Sequence, residues 1–212
     1  MKIDSSNALQ ILLLVGGLSV IPAILFTVTG FTRILIVLGF IRNAVGLQGT
    51  PPNQVLVGIA LFLTLFVMAP TIGAIKKDAY EPLTKHQITM TQALDRGQEP
   101  LRQFMFKQTR TQDLSLFISL AKLKTQPRTR AQVPTYVLIP AFIMSELKTS
   151  FEIGFLIFLP FLIIDLIVSS TLMSMGMIML PPVFISLPFK ILLFVLVDGW
   201  DLITRSLVAS FH

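Results

Sequence analysis

Apolar positions along this chain fall into long blocks, divided by one polar stretch. Residues 9–41 are apolar apart from scattered small polar residues and Arg33, a run longer than the roughly 20 residues a helix needs to cross about 30 Å of hydrocarbon. Such a segment must tilt, break or project beyond a bilayer. Pro22 and the Thr29-Gly30 pair are the places for a kink, because proline removes an intrahelical donor and glycine tolerates unusual dihedrals. Thr50-Pro51-Pro52-Asn53 predicts an extended entry followed by a helix start, since the residue before a proline avoids the helical region. Residues 55–75 then read as a second span.

Residues 76–134 are polar and predict two or three short amphipathic helices. Within them Leu114, Phe117, Ile118 and Ala121 recur at i, i+3, i+4 and i+7 and form one apolar stripe. Residues 136–144 are apolar again, and Ser145-Glu146-Leu147-Lys148 is expected to interrupt them before a third strong run at 153–180, which contains Pro160 and Asp165. One central Asp costs about 3 kcal/mol on the insertion scale, and the surrounding Leu, Ile, Val and Phe residues offset it. A fourth run at 183–197 leads into Asp198-Gly199-Trp200-Asp201 and a short amphipathic tail, with Trp200 placed to anchor at a membrane interface.

The pattern implies an all-α membrane protein. About four hydrophobic helical segments, some broken into hairpins, flank a hydrophilic helical insert. The expected division is 1–75, N-terminal hydrophobic helices; 76–134, the insert; and 135–212, C-terminal hydrophobic helices with a methionine-rich loop. Composition agrees: 53% of the 212 residues are hydrophobic and 13% charged, which excludes a disordered tail, a cytosolic enzyme and a nucleic-acid-binding arm. Lys2 would suit a short basic leader, but the apolar run does not stop at a small-residue cleavage site, so it reads as mature structure. The insert holds 11 of the 17 basic residues and five of the 11 acidic ones, which accounts for the whole net charge of +6. That charge belongs to one region facing water or anionic headgroups. With no cysteine, disulfides, thiol catalysis and thiolate metal sites are excluded.

Enzyme signatures are nearly absent. His86 and His212 have no metal-ligand spacing, and there is no glycine-rich phosphate loop, nucleophile elbow or paired carboxylate. The expectation is no catalytic residue, no cofactor and no metal. Asp165, deep in an apolar run, is a functional candidate as a proton relay, ion site or subunit contact. The alternative is a carboxylate paired across to a neighbouring helix or subunit, with Lys148 and Lys190 as the nearest cations. Lys148 with Glu152, and Asp201 with Arg205, stand four apart and can pair on a helix.

Met173, Met175, Met177 and Met179 alternate in a way that does not share one helical face. Gly176 and Pro181-Pro182 add to the expectation of an irregular stretch, which at membrane depth is tolerated only where protein or an aqueous cavity surrounds it. Methionine is unbranched and polarizable, so the run could fill gaps or close a pore around cargo of varied shape. So few helices fill their own centre, so a pore would need several copies, and Glu146, Asp165 and Lys190 would then serve contacts between them.

Five segments resemble the FliP family, shared with the R components of virulence type III secretion: FTRILIVLGFI (31–41), PPNQVLVGIALFLTLFVMAPT (51–71), KQTRTQDLSLF (107–117), SELKTSFEIGFLIFLPFLIID (145–165) and MGMIMLPPVFISLPFKILLFVLVDGW (175–200). The PPNQVL and SELKTSFEIGF forms resemble the flagellar branch more than the virulence branch. The resemblance implies a non-enzymatic, pore-forming subunit of the flagellar protein export gate in the bacterial inner membrane and basal body. It also implies a homo-oligomer, as a pentameric ring completed by the Q and R components, working with other membrane components of the export apparatus. Unfolded flagellar proteins are the implied cargo, with no nucleic acid. A methionine seal would fall at Met177, Ile178 and Met179. Many relatives carry methionine at the middle position, where isoleucine is stiffer at χ1. Glu146, Lys148 and Asp165 would lie at subunit contacts. The positive-inside rule would put a +6 insert in the cytoplasm, whereas the family implies a periplasmic insert; the family expectation is preferred, because the rule describes helices inserting independently. Two alternatives stay open: a virulence-type export gate, and a proton-coupled secondary transporter using Asp165.

Overall fold

The computed structural model describes residues 24–47, 49–123, 125–177 and 179–211. Among these every regular element is helical. The described residues divide into two compact units, 24–29 with 75–143, and 30–74 with 144–211. The elements run α1 Phe31–Val45, α2 Asn53–Ile75, a π turn Lys76–Tyr80, α3 Glu81–Thr84, α4 Met90–Gln108 and α5 Thr111–Leu120. A 3-10 turn Arg130–Gln132 precedes α6 Thr135–Ser174, α7 Pro182–Leu196 and α8 Gly199–Ala209.

In the first unit, α4 begins where Thr89 and Gln92 form a reciprocal capping box, which satisfies two of the donors every helix start leaves open. Val28, Met105, Phe106, Val133, Val137, Leu138 and Phe142 form the core. The stripe Leu114, Phe117, Ile118 and Ala121 packs against it, as its helical spacing predicts. Arg102 is buried beside this core. Its guanidinium donates to Thr135 Oγ1 at 2.5 Å, to the Val133 carbonyl at 2.8 Å and to the Arg130 carbonyl at 3.3 Å, fastening α4 to the turn that leads into α6.

In the second unit, α1 is its innermost helix. Phe31, Ile34, Val37, Leu38, Ile41, Ala44 and Val45 are all buried, more than one face of a helix. The expected break at Thr29-Gly30 is present, since residues 24–28 are helical and α1 starts at Phe31. It does not come from an unusual dihedral at Gly30, whose φ is −72°. Pro22, the other expected kink, lies outside the described residues. After α1 the chain turns through Gly46, and Arg42 donates to Asn53 Oδ1 at 2.6 Å, closing the connection onto the start of α2. The helix start expected after Pro51-Pro52 is found at Asn53.

Among the described residues two helical runs are long and apolar enough to cross a membrane, Asn53–Thr84 and Thr135–Ser174; α7 and α8, bent by 65° at their junction, count as a third if taken as one span. The 40 residues of α6 correspond to about 60 Å at 1.5 Å per residue, well beyond the roughly 30 Å of hydrocarbon. Here the structure corrects one expectation: Ser145-Glu146-Leu147-Lys148 does not break the helix, because all four residues lie within α6. Those four residues are compatible with helix, and the charge of Glu146 is met by a partner described below.

Helix α6 approaches α1 closely at Gly154. A Cβ placed there would lie 2.5 Å from the Phe40 ring and 3.1 Å from Phe40 Cβ, and Phe40 stacks edge-on against Phe151 at 5.4 Å. Gly154→Ala is therefore expected to destabilise the protein by about 1–3 kcal/mol through overpacking. Thermal unfolding in detergent measures this, and Phe40→Leu in the same chain should recover part of the loss; an unchanged melting point in the single variant would show that the contact is loose.

Candidate functional site

The site consists of the helical hairpin α6–α7, the methionine-rich turn at its tip and two ion pairs that fix the helices around it. The first pair joins α1 to α6. Arg33 and Glu146 are 1% and 0% exposed. Arg33 Nε donates to Glu146 Oε2 at 2.9 Å, and Nη2 donates to Oε1, so the contact is bidentate. Nη1 donates to the carbonyl of Ser210 at 2.7 Å and to its hydroxyl at 3.1 Å, while the guanidinium lies 4.0 Å over the Phe211 ring. One side chain thus ties α1, α6 and the turn after α8. The planar, five-donor guanidinium suits such a junction as a lysine would not.

The second pair joins α6 to α7. Asp165 Oδ2 accepts from Lys190 Nζ at 2.6 Å, and Oδ1 accepts from Ser186 Oγ at 2.7 Å. Ser186 and Lys190 stand one turn apart on α7 and so present to one face. Lys190 is buried and Asp165 half-buried. Of the cations expected to meet Asp165, the structure selects Lys190. Glu146, Asp165 and Lys190 all find partners inside this chain, whereas Lys148 is exposed. Asp201 and Arg205 pair at 2.6 Å on the surface of α8, as their spacing allows.

Between these helices the backbone is irregular, as the alternating methionines predict. Gly176 N–H donates to the Met173 carbonyl and Met177 N–H to the Leu172 carbonyl, both at 3.0 Å, and Gly176 has φ +73°. This is the Schellman pattern that ends a helix with a left-handed residue. Leu180 N–H closes a further turn onto Met177, and α7 restarts at Pro182, where a missing N–H costs nothing at the first helical position. Met173, Met175, Met177 and Met179 are all exposed, and Met179 is 99% exposed. Ile178 lies outside the described residues. An apolar groove lined by Ile164, Val168, Leu172, Ile185 and Phe189 runs between the two helices below the turn.

At the base of the hairpin, Phe194 stands between Phe161 and Trp200, with ring centroids at 6.5 Å and 5.3 Å. Asp198, at φ 49°, turns the chain from α7 into α8. Among the described residues no three His, Cys, Asp or Glu side chains gather as a metal site. His86 lies exposed in a turn, and His212 lies outside the described residues. Sequence reading did not single out Arg33 or Ser210 as site residues. The signal available was Arg33 itself, an arginine inside an apolar run, which requires a buried partner.

The sequence model of the FliP family matches residues 14–207. The flagellar biosynthetic protein FliP of Bacillus subtilis is 55% identical over 97% of this chain and 93% of its own length. The protein of the same name from Pectobacterium carotovorum is 54% identical over 97% of this chain and 79% of its own length. That of Caulobacter vibrioides is 51% identical over 98% and 78%.

Removing one partner of the buried pair should be far worse than removing both. Arg33→Met strands the Glu146 carboxylate and is expected to cost about 3–5 kcal/mol, whereas Arg33→Met with Glu146→Met should recover most of that loss. Thermal melting in detergent of the two single variants and the double variant measures the coupling. Additive losses would contradict a direct interaction.

Proposed function

The chain belongs to the FliP family, and on that footing we propose that it is a pore-forming structural subunit of the flagellar type III protein export gate, passing unfolded flagellar proteins out of the cytoplasm. The observation that carries this reading is the fully exposed Met179 on a non-helical turn between two apolar helices. Non-helical backbone in such a place needs protein or water around it, because hydrocarbon offers no hydrogen bonds. Apolar, flexible side chains in the same place need other apolar surface to meet. A ring of copies supplies both: each hairpin contributes one methionine turn, and the turns converge as a deformable seal.

In this reading the seal is Met177, Ile178 and Met179, and the subunit functions without chemistry of its own. It sits in the inner membrane of the flagellar basal body as a homo-oligomer, a pentameric ring with the Q and R components and the other membrane parts of the apparatus. In the same reading the chain divides into 1–75, 76–134 and 135–212, with the basic insert on the periplasmic side. Glu146, Asp165 and Lys190 hold this chain's own helices, so their part in subunit contact is to shape the surfaces that meet. Lys148, exposed on α6, is the residue available to reach a neighbour directly. The Lys190 and Ser186 contacts to Asp165 also favour a structural carboxylate over a proton carrier.

Replacing Met177, Ile178 and Met179 together by alanine should let small ions through the closed gate while the ring still assembles. Ion permeability of cells or vesicles carrying the complete gate measures this, with native electrophoresis reporting assembly. An assembled gate that stays as ion-tight as the parent would refute the seal.

A further inference from the structure

We propose that Gly176 is the positioning residue of the seal: its left-handed backbone, not its small size, stops α6 at Ser174 and sends Met177 off the helix. This rests on the seal reading above. The local sequence favours helix without it, because methionine is a good helix former and Met175 and Met177 flank the glycine directly. In a continued α-helix the Met177 N–H would bond to the Met173 carbonyl. Instead Met177 bonds to Leu172 and Gly176 takes Met173, so the chain reverses at the glycine.

Space is not the reason for glycine here. A Cβ built on Gly176 meets nothing within 4 Å, while φ stands at +73°. Within the chain a Cβ has room, but few L residues adopt that dihedral: asparagine does so readily, alanine poorly, and a β-branched residue worst. The effect of a substitution should therefore follow tolerance of the left-handed region and not side-chain volume. The far end of the stretch has its own stop, since Pro181 and Pro182 provide no N–H with which a helix could grow across the turn. The Asp165 contacts to Ser186 and Lys190 fix the two helices below. Both ends of the methionine stretch are thus defined.

The test compares Gly176→Asn, Gly176→Ala and Gly176→Val in the full chain, co-expressed with the rest of the gate, reading ion permeability and assembly in the same preparations. Asparagine, the larger side chain, should stay close to the parent, whereas alanine should leak several-fold more and valine at least as much as alanine. If valine prevents assembly, the alanine–asparagine contrast decides. Equal leak from asparagine and alanine, tightness in all the variants, or a defect of the alanine variant confined to assembly would each overturn the proposal. The triple alanine variant at 177–179 runs alongside. A leak there with a tight Gly176→Ala overturns the role of the glycine alone, and a tight triple variant removes the seal reading itself.

Discussion

A guanidinium and a carboxylate shut away from water must find each other, and in this protein that requirement fixes where three parts of the chain meet. Arg33 comes from α1, Glu146 from α6, and the remaining donors of Arg33 reach Ser210 beyond α8. Neither charge has solvent to fall back on, and a buried ion left alone carries a desolvation penalty of several kcal/mol. A slide of α1 by one turn would break both hydrogen bonds to Glu146 and the bond to Ser210 at once. Apolar contacts such as Phe40 on Gly154 are compatible with small shifts, but the bidentate geometry is not. The pair therefore sets register among helices whose greasy surfaces would otherwise pack in several ways.

A weaker version of the same device holds the hairpin. Asp165 is half-buried and receives one bond from lysine and one from serine, so α6 and α7 are joined at one height. Beyond that point the backbone leaves the helix, turns, and restarts at a proline. The helices are tied to one another by hydrogen bonds, while Met175, Met177 and Met179 at the tip are exposed. This contrast suits a part that has to present a soft surface from a fixed frame. It also explains why the tip looks unfinished in a single chain: Met173, Met175, Met177 and Met179 are all exposed, and a cluster of exposed apolar side chains marks a contact surface.

Much of this was legible in the residues. Blocks of apolar sequence gave the membrane class, and Thr50-Pro51-Pro52 marked a helix start that is present at Asn53. The stripe from Leu114 to Ala121 found its core, and the alternation of methionines around Gly176 foretold a break that is present. The error at Ser145-Glu146-Leu147-Lys148 has a simple cause. Polar residues in an apolar run suggest an interruption, yet a helix continues through a charge where tertiary structure provides the opposite one. The identity of that partner was not readable, because Arg33 and Glu146 are 113 residues apart and local pattern has no reach at that distance. For Asp165 the two candidate cations were named, and only the fold could choose between Lys190 and Lys148. Family membership was legible from five segments and is borne out along nearly the whole chain.

The central claim is that the methionine turns of several copies meet around one axis. The chain contains no cysteine, so a single Met179→Cys variant, co-expressed with the complete gate and mildly oxidised in the membrane, reports directly on that meeting. A disulfide requires Cα atoms within about 7 Å. The account predicts covalently linked pairs from position 179 and none from Phe62→Cys, an exposed position on α2. Linkage at position 62 but not at 179, in a gate that has assembled, would contradict it.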